Sequence, residues 1–374
     1  MIYCNKCILP NTRPNLFNHN KECVACKNHF SKKNINWLYR KQKFEKLVKK
    51  IKNKNNAYDC VIPYSGGKDS IWQLETALKY NLKPLCLTWK TPARSLEGGE
   101  NLINSLNYFG CDHLDFTINP KIEKYFTLKS FKKFGSTLIP MHMAIHGLPQ
   151  QIALNFKIPL ILQGENSAFE YGGNNLNSNS LGINMTWLKK HGNTHGTIYS
   201  DWFDKYLNKK NMWPYIWNND KLLKQNKINT VFLGYFFKWD PQKSYKLAKK
   251  IDFKTPKIPK TGFYKFADID DEFLITVHHW MKWYKFGFTR TWDNLSIEIR
   301  NKRIKRNQAI SYLVKNYEQK PINEIKKFCK YVNISLKEFD KITEKFRNKK
   351  IWHKENNKKW KIKNFLIKDF RFHE

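Results

Sequence analysis

Six consecutive residues, Ser65-Gly66-Gly67-Lys68-Asp69-Ser70, bring together two hydroxyls, two glycines, an amine and a carboxylate. They follow the apolar run from Tyr58 to Tyr64 and precede Ile71, Leu74 and Leu78 at helical spacing. A strand that turns through glycine into a helix aims several backbone N–H groups and the positive end of the helix dipole at one spot. A phosphate or pyrophosphate suits that spot. Cys4, Cys7, Cys23 and Cys26 form a second set, C-x2-C, fifteen intervening residues, then C-x2-C. Four thiolates at that spacing can close the tetrahedral sulfur shell that zinc prefers, leaving no open position for chemistry, so the knuckle reads as structural or as a docking element. Two disulfides are the alternative, and they fit poorly with a chain that shows no export signal.

Gly164-Glu165-Asn166-Ser167 and Glu170-Tyr171 follow another apolar run, 158–163. If that run is a parallel strand, the cluster falls on the same face as the loop at 65–70. Glu165 is then a candidate for a magnesium or ribose contact or a general base, and Glu170 and Tyr171 for substrate contact. Two glutamates on a solvent loop are the plainer reading. Only nine of the 68 basic residues are arginines, yet Arg290, Arg300, Arg303 and Arg306 lie within seventeen positions. Such a concentration reads as an anion site, with 300, 303 and 306 on one face if the segment is helical. His142 and His146 are four apart, and with no third ligand near in sequence they read as packed histidines rather than a metal pair.

These residues need a frame. Strand-like runs at 58–64, 84–89, 111–118, 158–163 and 230–237 alternate with helix-like stretches at 69–80, 101–109 and 142–156, which predicts a parallel sheet with crossover helices. Trp37 to Ile51 reads as an amphipathic helix ahead of a polar break at 52–56, and 172–197 as a long polar loop near the site or a lid. Beyond 253 the pattern is helical (273–286, 304–316, 321–331, 335–347), with no strand alternation. Four segments follow: a knuckle at 1–30, a linker helix at 31–56, an α/β domain at 57–252 and a helical region at 253–374.

The formal charge is +37, but the cations are mostly lysines spread along helix surfaces, so a specific nucleic-acid surface is not expected. Apolar runs break well before about 18 residues, so no membrane span is expected, and Met1–Asn5 lack the start of a secretory signal. A cytoplasmic protein is the expectation.

The S-G-G-x-D-S spacing differs from Walker A. It resembles the PP-loop of ATP pyrophosphatases, which cleave ATP to AMP and pyrophosphate. That resemblance implies an adenine nucleotide α-hydrolase-like sheet with helices on both faces. It also implies that ATP is held by Ser65, Gly66, Gly67, Lys68, Asp69 and Ser70, bordered by Trp89 and Gly164. Ser65 and Ser70 would donate to the leaving pyrophosphate, Asp69 would hold Mg2+, and Lys68, Asp69 and Glu165 would be catalytic. The knuckle, the loop, Gly164-Glu165-Asn166, Glu170-Tyr171-Gly172-Gly173, Trp239-Asp240 and the run from Lys285 through Arg290 to Arg300 resemble the N-acetyl sugar amidotransferase family, to about residue 310. The family resemblance implies an enzyme of bacterial surface-polysaccharide or flagellin-sugar synthesis. Such an enzyme adenylates the N-acetyl oxygen of a nucleotide-linked sugar or a nonulosonic acid (pseudaminic or legionaminic acid) and replaces it with ammonia-derived nitrogen. It implies Glu170, Tyr171, Arg290, Arg300 and Arg303 at the sugar, and ammonia from a separate glutaminase through a cyclase-like barrel subunit. The rival is a tRNA sulfur transferase of the same loop class, which commonly adds a mid-domain C-x2-C that Cys60, Cys86 and Cys111 do not provide.

Overall fold

The computed structural model describes residues 1–14, 16, 21–52, 56–173, 179–316, 319–355, 359–368 and 370. Five strands, β1 Cys60–Pro63, β2 Pro84–Trp89, β3 His113–Phe116, β4 Leu160–Gln163 and β5 Asn229–Phe232, form one parallel sheet in the order β3-β2-β1-β4-β5. Alternation along the strands builds two cores. Val61, Leu85, Leu87 and Ile161 pack on one face with Met143, Leu148 and Ile152 of the helix Ile139–Asn155. Cys60, Ile62, Cys86, Leu160 and Leu162 face the other way, against Phe44 and Val48 of the helix Trp37–Ile51 and Ile71 and Leu74 of the helix Lys68–Lys79. Strand order reverses direction between β1 and β4, and the crevice beyond the strand ends at such a point is where open α/β sheets bind ligands.

Several boundaries differ from the sequence reading for local reasons. The Leu96–Phe109 helix starts five residues earlier than expected, capped by Ser95, whose side chain accepts from Gly98 N; two glycines in its first turn had hidden it. The Ile139–Asn155 helix starts ahead of 142, with Pro140 in its first turn, where proline's missing N–H costs nothing. β5 ends at Phe232, and a short helix, Leu233–Phe236, turns Gly234 N onto Gly164 O at 3.1 Å.

The stretch expected as a polar loop at 172–197 is partly built. Residues 174–178 fall outside the described ones, but Gly182 bridges to Val231, and Met185–His191 is a helix that buries Trp187 and Leu188. The C-terminal region does contain strands: β6 Trp352–Glu355 pairs antiparallel with β7 Lys359–Ile362 and buries Trp352 and Ile362. Only Trp352 of β6 and Ile362 of β7 are buried, so the pair leaves no inward-outward alternation to read in the sequence. The helices Leu274–Phe286, Ile322–Val332 and Leu336–Glu344 form a third core with Phe131 and Leu138, and the four cysteines join a fourth with Phe288, Trp292 and Leu295. No helix among the described residues is long and apolar enough to cross a membrane.

Candidate functional site

The loop after β1 is shaped by its glycines. Gly66 has φ +74°, and a Cβ there would lie 2.5 Å from Leu102 Cα, so this position needs glycine on both counts. Gly67 caps the Lys68–Lys79 helix with no side chain on its first N–H groups, which leaves those donors available to a ligand. Ser65 Oγ accepts from Gly67 N at 3.2 Å, and Ser70 Oγ donates to Gly67 O at 2.9 Å. Asp69 is held from two sides, by Lys68 Nζ at 2.5 Å and by Trp239 Nε1 at 2.9 Å.

Two cavities meet at this loop, both lined by Ser65, Asp69, Ser70, Glu165 and Asp270. One, of about 260 Å³, is mainly apolar, with Trp89, Met141, Ile145, Leu148 and Pro149 in its wall. The other, of about 210 Å³, is mainly polar and adds Gly66, Gly67, Lys68, Tyr171, Asp268 and Arg290. An apolar lobe joined to a polar, N–H-rich lobe, in which Lys68 and Arg290 stand among four carboxylates, matches a base and sugar joined to a polyphosphate and its magnesium. Trp89 ends β2, its Nε1 donating to Glu123 Oε1 at 2.7 Å. Burial pushes the Glu123 carboxyl up to about 8, with the Trp89 bond opposing. Burial, reinforced by the charge of Asp69, pushes Glu165 up to about 7.

Arg290 opens the helix Arg290–Arg300 and lies over the Tyr171 ring, 5.1 Å from its centroid, with Nη2 3.4 Å from the Tyr171 hydroxyl. Its Nε is 3.8 Å from Asp268, which also faces His279 Nε2 at 3.6 Å. Burial would raise the Asp268 carboxyl, but the His279 ring N–H and the charge of Arg290 outweigh it and hold Asp268 below the usual carboxylate range.

The remaining sequence candidates lie off the cleft. Glu170 is buried in an ion pair, both its oxygens 2.7 Å from Lys32 Nζ. Arg303 is shared between Glu298 and Asp240. Arg300, Arg303 and Arg306 do not share a helix face: one helix ends at Arg300, the next begins at Arg306, and Arg303 sits in the turn. Arg300 Nη2 donates to Glu170 O at 3.2 Å, and Arg306 Nε to Cys7 O at 3.0 Å. Gly164 borders the Gln73 side chain. Burial pushes His142 down to about 3 and His146 to about 4, so both are neutral inside their helix, His142 facing the His278 ring at 6.3 Å. Cys4, Cys7, Cys23 and Cys26 are buried with their sulfurs within 4.8 Å of one another, a group that could hold a metal ion.

The sequence reading missed Asp268 and Asp270, which reach the loop from the C-terminal region. Ser95 Oγ bonds Ile269 O, Ser95 N bonds Asp270 O at 3.2 Å, and Gly98 lets Asp270 approach, since a Cβ there would stand 2.5 Å from Asp270 Cα. Four acids in the five residues 268–272, in a chain with 31 acids, were the available signal.

Residues 260–366 match the family model described as LPS biosynthesis protein WbpG-like, C-terminal domain, in keeping with the surface-polysaccharide resemblance. Asp268, Asp270 and Arg290 lie inside that segment. A relative from Methanocaldococcus jannaschii, uncharacterized protein MJ1599, is 27% identical over 112 residues, 29% of this chain, and the chain spans 40% of its length. Among solved structures, NMN synthetase from Francisella tularensis aligns at 15% identity over 77% of this chain and 99% of its own, with a TM-score of 0.34. A predicted subunit of tRNA methyltransferase from Methanocaldococcus jannaschii aligns at 13% identity over 51% and 74%, with a TM-score of 0.27. At such scores neither carries an argument, and the fold stands on its own strand order and loop.

Proposed function

We propose that the chain is an ATP-dependent amidotransferase that converts the N-acetyl group of a bacterial surface sugar into an acetamidino group, releasing AMP and pyrophosphate. The observation that carries this reading is the loop at 65–70, set at the reversal of strand order and opening on both an apolar and a polar lobe. The match of residues 260–366 to an LPS biosynthesis domain supports a sugar as acceptor.

In this reading the apolar lobe takes adenosine and the polar lobe the phosphates. The acetamido oxygen attacks the α-phosphorus of ATP, and the P–O bond to the β-phosphate breaks. Charge on the leaving pyrophosphate is met by the N–H groups at Gly66 and Gly67, the Ser65 and Ser70 hydroxyls, Lys68 and Arg290. Asp69 and Asp270 present the oxygen donors that magnesium takes, and the bound ion would offset triphosphate charge. Ammonia then adds to the imidate carbon, the C–O bond to AMP breaks, and Glu165 accepts a proton at a pKa suited to neutral pH. Zinc is the ion proposed for the four cysteines.

No cysteine lines either lobe among the described residues, which favours ammonia over the sulfur of the tRNA-thiolating alternative. A separate glutaminase and a cyclase-like barrel are the proposed source of that ammonia. Incubation with ATP, magnesium, ammonium and an N-acetylated bacterial sugar should give AMP and pyrophosphate. Release of ADP and phosphate instead rejects the proposal.

A further inference from the structure

The four thiols lie directly behind the cleft. Cys4 Sγ is 3.9 Å from Cys26 Sγ, and Cys7 Sγ is 3.6 Å from Cys23 Sγ. With Zn–S bonds of about 2.3 Å, the edge of a sulfur tetrahedron is about 3.8 Å, which these two separations match. A divalent ion with four thiolates carries two net negative charges, and a buried centre of that charge needs a cation nearby. Arg300 is 4% exposed, and its Nη1 has no hydrogen-bond partner among the described residues.

From this centre a set of side chains reaches the short helix Ser167–Tyr171. The last carbonyls of any helix lack intrahelical donors. Here three in a row are supplied from outside: Phe169 O by Asn28 Nδ2 at 3.1 Å, Glu170 O by Arg300 Nη2 at 3.2 Å, and Tyr171 O by Arg13 Nη1 at 3.4 Å. Lys32, 6% exposed, pairs with the Glu170 carboxylate, 9% exposed. Gly172, at φ +86°, lets the chain pass so close that a Cβ would stand 2.8 Å from Leu16 Cδ1 and 3.1 Å from Ala25 N. On the cleft side the Tyr171 ring carries Arg290 and lies 6.3 Å from Trp239, whose indole holds Asp69.

We infer that the four-cysteine metal site is a brace for the polar lobe, in which Arg13, Asn28, Lys32 and Arg300 act as positioning residues for Tyr171 and, through it, for Arg290 and Asp69. Arg300, a sequence candidate for the sugar, serves in this assignment to hold the Glu170 carbonyl. The inference rests on the lobe's reading as a polyphosphate site, and the test separates the two.

Full-length protein is compared with Asn28→Ala and with the double variant Lys32→Met/Glu170→Met, which removes both charges of the buried pair together. The measurements are zinc content, binding of magnesium pyrophosphate and of adenosine, and hydrogen exchange at 167–173 and in β1. Both variants are expected to keep about one zinc per chain and to bind adenosine within about twofold of the parent. They should bind pyrophosphate about tenfold more weakly or worse and lose exchange protection at 167–173 while β1 keeps it. Chelation of the zinc in the parent protein should open 167–173 in the same way. Unchanged pyrophosphate affinity and unchanged protection at 167–173 with zinc retained overturn the brace, as does an equal loss of both ligands. If the parent binds adenosine but no pyrophosphate, the lobe assignment fails, and the exchange comparison still decides the brace.

Discussion

Two glutamates, Glu165 half-buried in the cleft and Glu123 buried behind its Trp89 wall, show how environment divides roles. Glu165 lines both lobes and sits near 7, so it is half ionised where the proposed reaction runs. If it takes the proton from the adding ammonia, kcat/KM at a fixed concentration of free ammonia should rise about tenfold per pH unit below about 7 and level off above. Glu165→Gln should lower the plateau by about a hundredfold or more and abolish the rising limb; a variant with the parent's pH profile removes Glu165 from the proton path. Glu123 instead accepts from the Trp89 indole, and at 2% exposed, with its pKa pushed up to about 8, its carboxyl is mostly neutral at pH 7. Its folded-state value, about 8, lies above the ordinary 4.5. The folded protein therefore binds the proton more tightly than the unfolded chain, and this contribution to stability is full below about 4.5 and lost as pH rises through about 8. Over that window the loss is on the order of a few kcal/mol, at about 1.4 kcal/mol per unit. Glu123→Gln keeps an acceptor for Trp89, so its melting temperature should fall less than the parent's between pH 5 and 8. Parallel melting curves across that range would show that Glu123 does not carry the proton. Asp69→Asn replaces the carboxylate that Lys68 and Trp239 both hold, and AMP formation should cease while the far-UV spectrum is kept.

Among the elements, the β1 loop and the Leu96–Phe109 helix are fitted to each other at one glycine. Gly66→Ala places a methyl against the Leu102 backbone and forces an alanine to φ +74°, a strain of about 1–3 kcal/mol before any overlap is counted. Because the contact is backbone, neither side can yield by rotating a side chain. ATP affinity should therefore fall by at least about tenfold with a lower melting temperature, and full affinity with an unchanged Tm would mean the loop does not need that approach. The loop was legible in the sequence because its chemistry is local: strand, two glycines and helix lie within about twenty residues. So were the cysteine pairs and the alternation of strand-like with helix-like segments from 58 to 163. What could not be read was non-local. Nothing at 266–271 says that it will lie along Ser95 and Gly98, and nothing at Lys32 names Glu170 as its partner. The arginine run misled for the same reason: composition marked the segment, but the turn between Arg300 and Arg306 sends only Arg290 to the cleft.

For the whole molecule the question is whether the segments at 1–30, 57–252 and 253–374 stand independently. Their cores interleave. Ala93, Phe131 and Leu138 pack against Phe273, Val277, Phe328 and Phe339, with Leu128 and Met141 at the edge. Gly135 at φ +55° admits the Phe346 ring, and Asn101 exchanges hydrogen bonds with Lys254 N and O at 2.7 and 3.0 Å. The cysteines in turn pack on Phe288, Trp292 and Leu295. Cutting the chain at 252 uncovers the buried Phe131 and Leu138 of the α/β segment, at about 1.5–3 kcal/mol each, and more of the half-buried Leu128 and Met141. The first two alone are on the order of 3–6 kcal/mol, a large share of the whole stability of a typical domain, about 5–15 kcal/mol. The cut also removes Asp268, Asp270 and Arg290 from the cleft. The full chain should therefore melt in one calorimetric transition, and residues 57–252 alone should lack a near-UV signal and fail to bind ATP. Two resolved transitions, with ATP binding surviving the first, would instead show that the C-terminal region is an appendage and that the cleft belongs to the sheet alone.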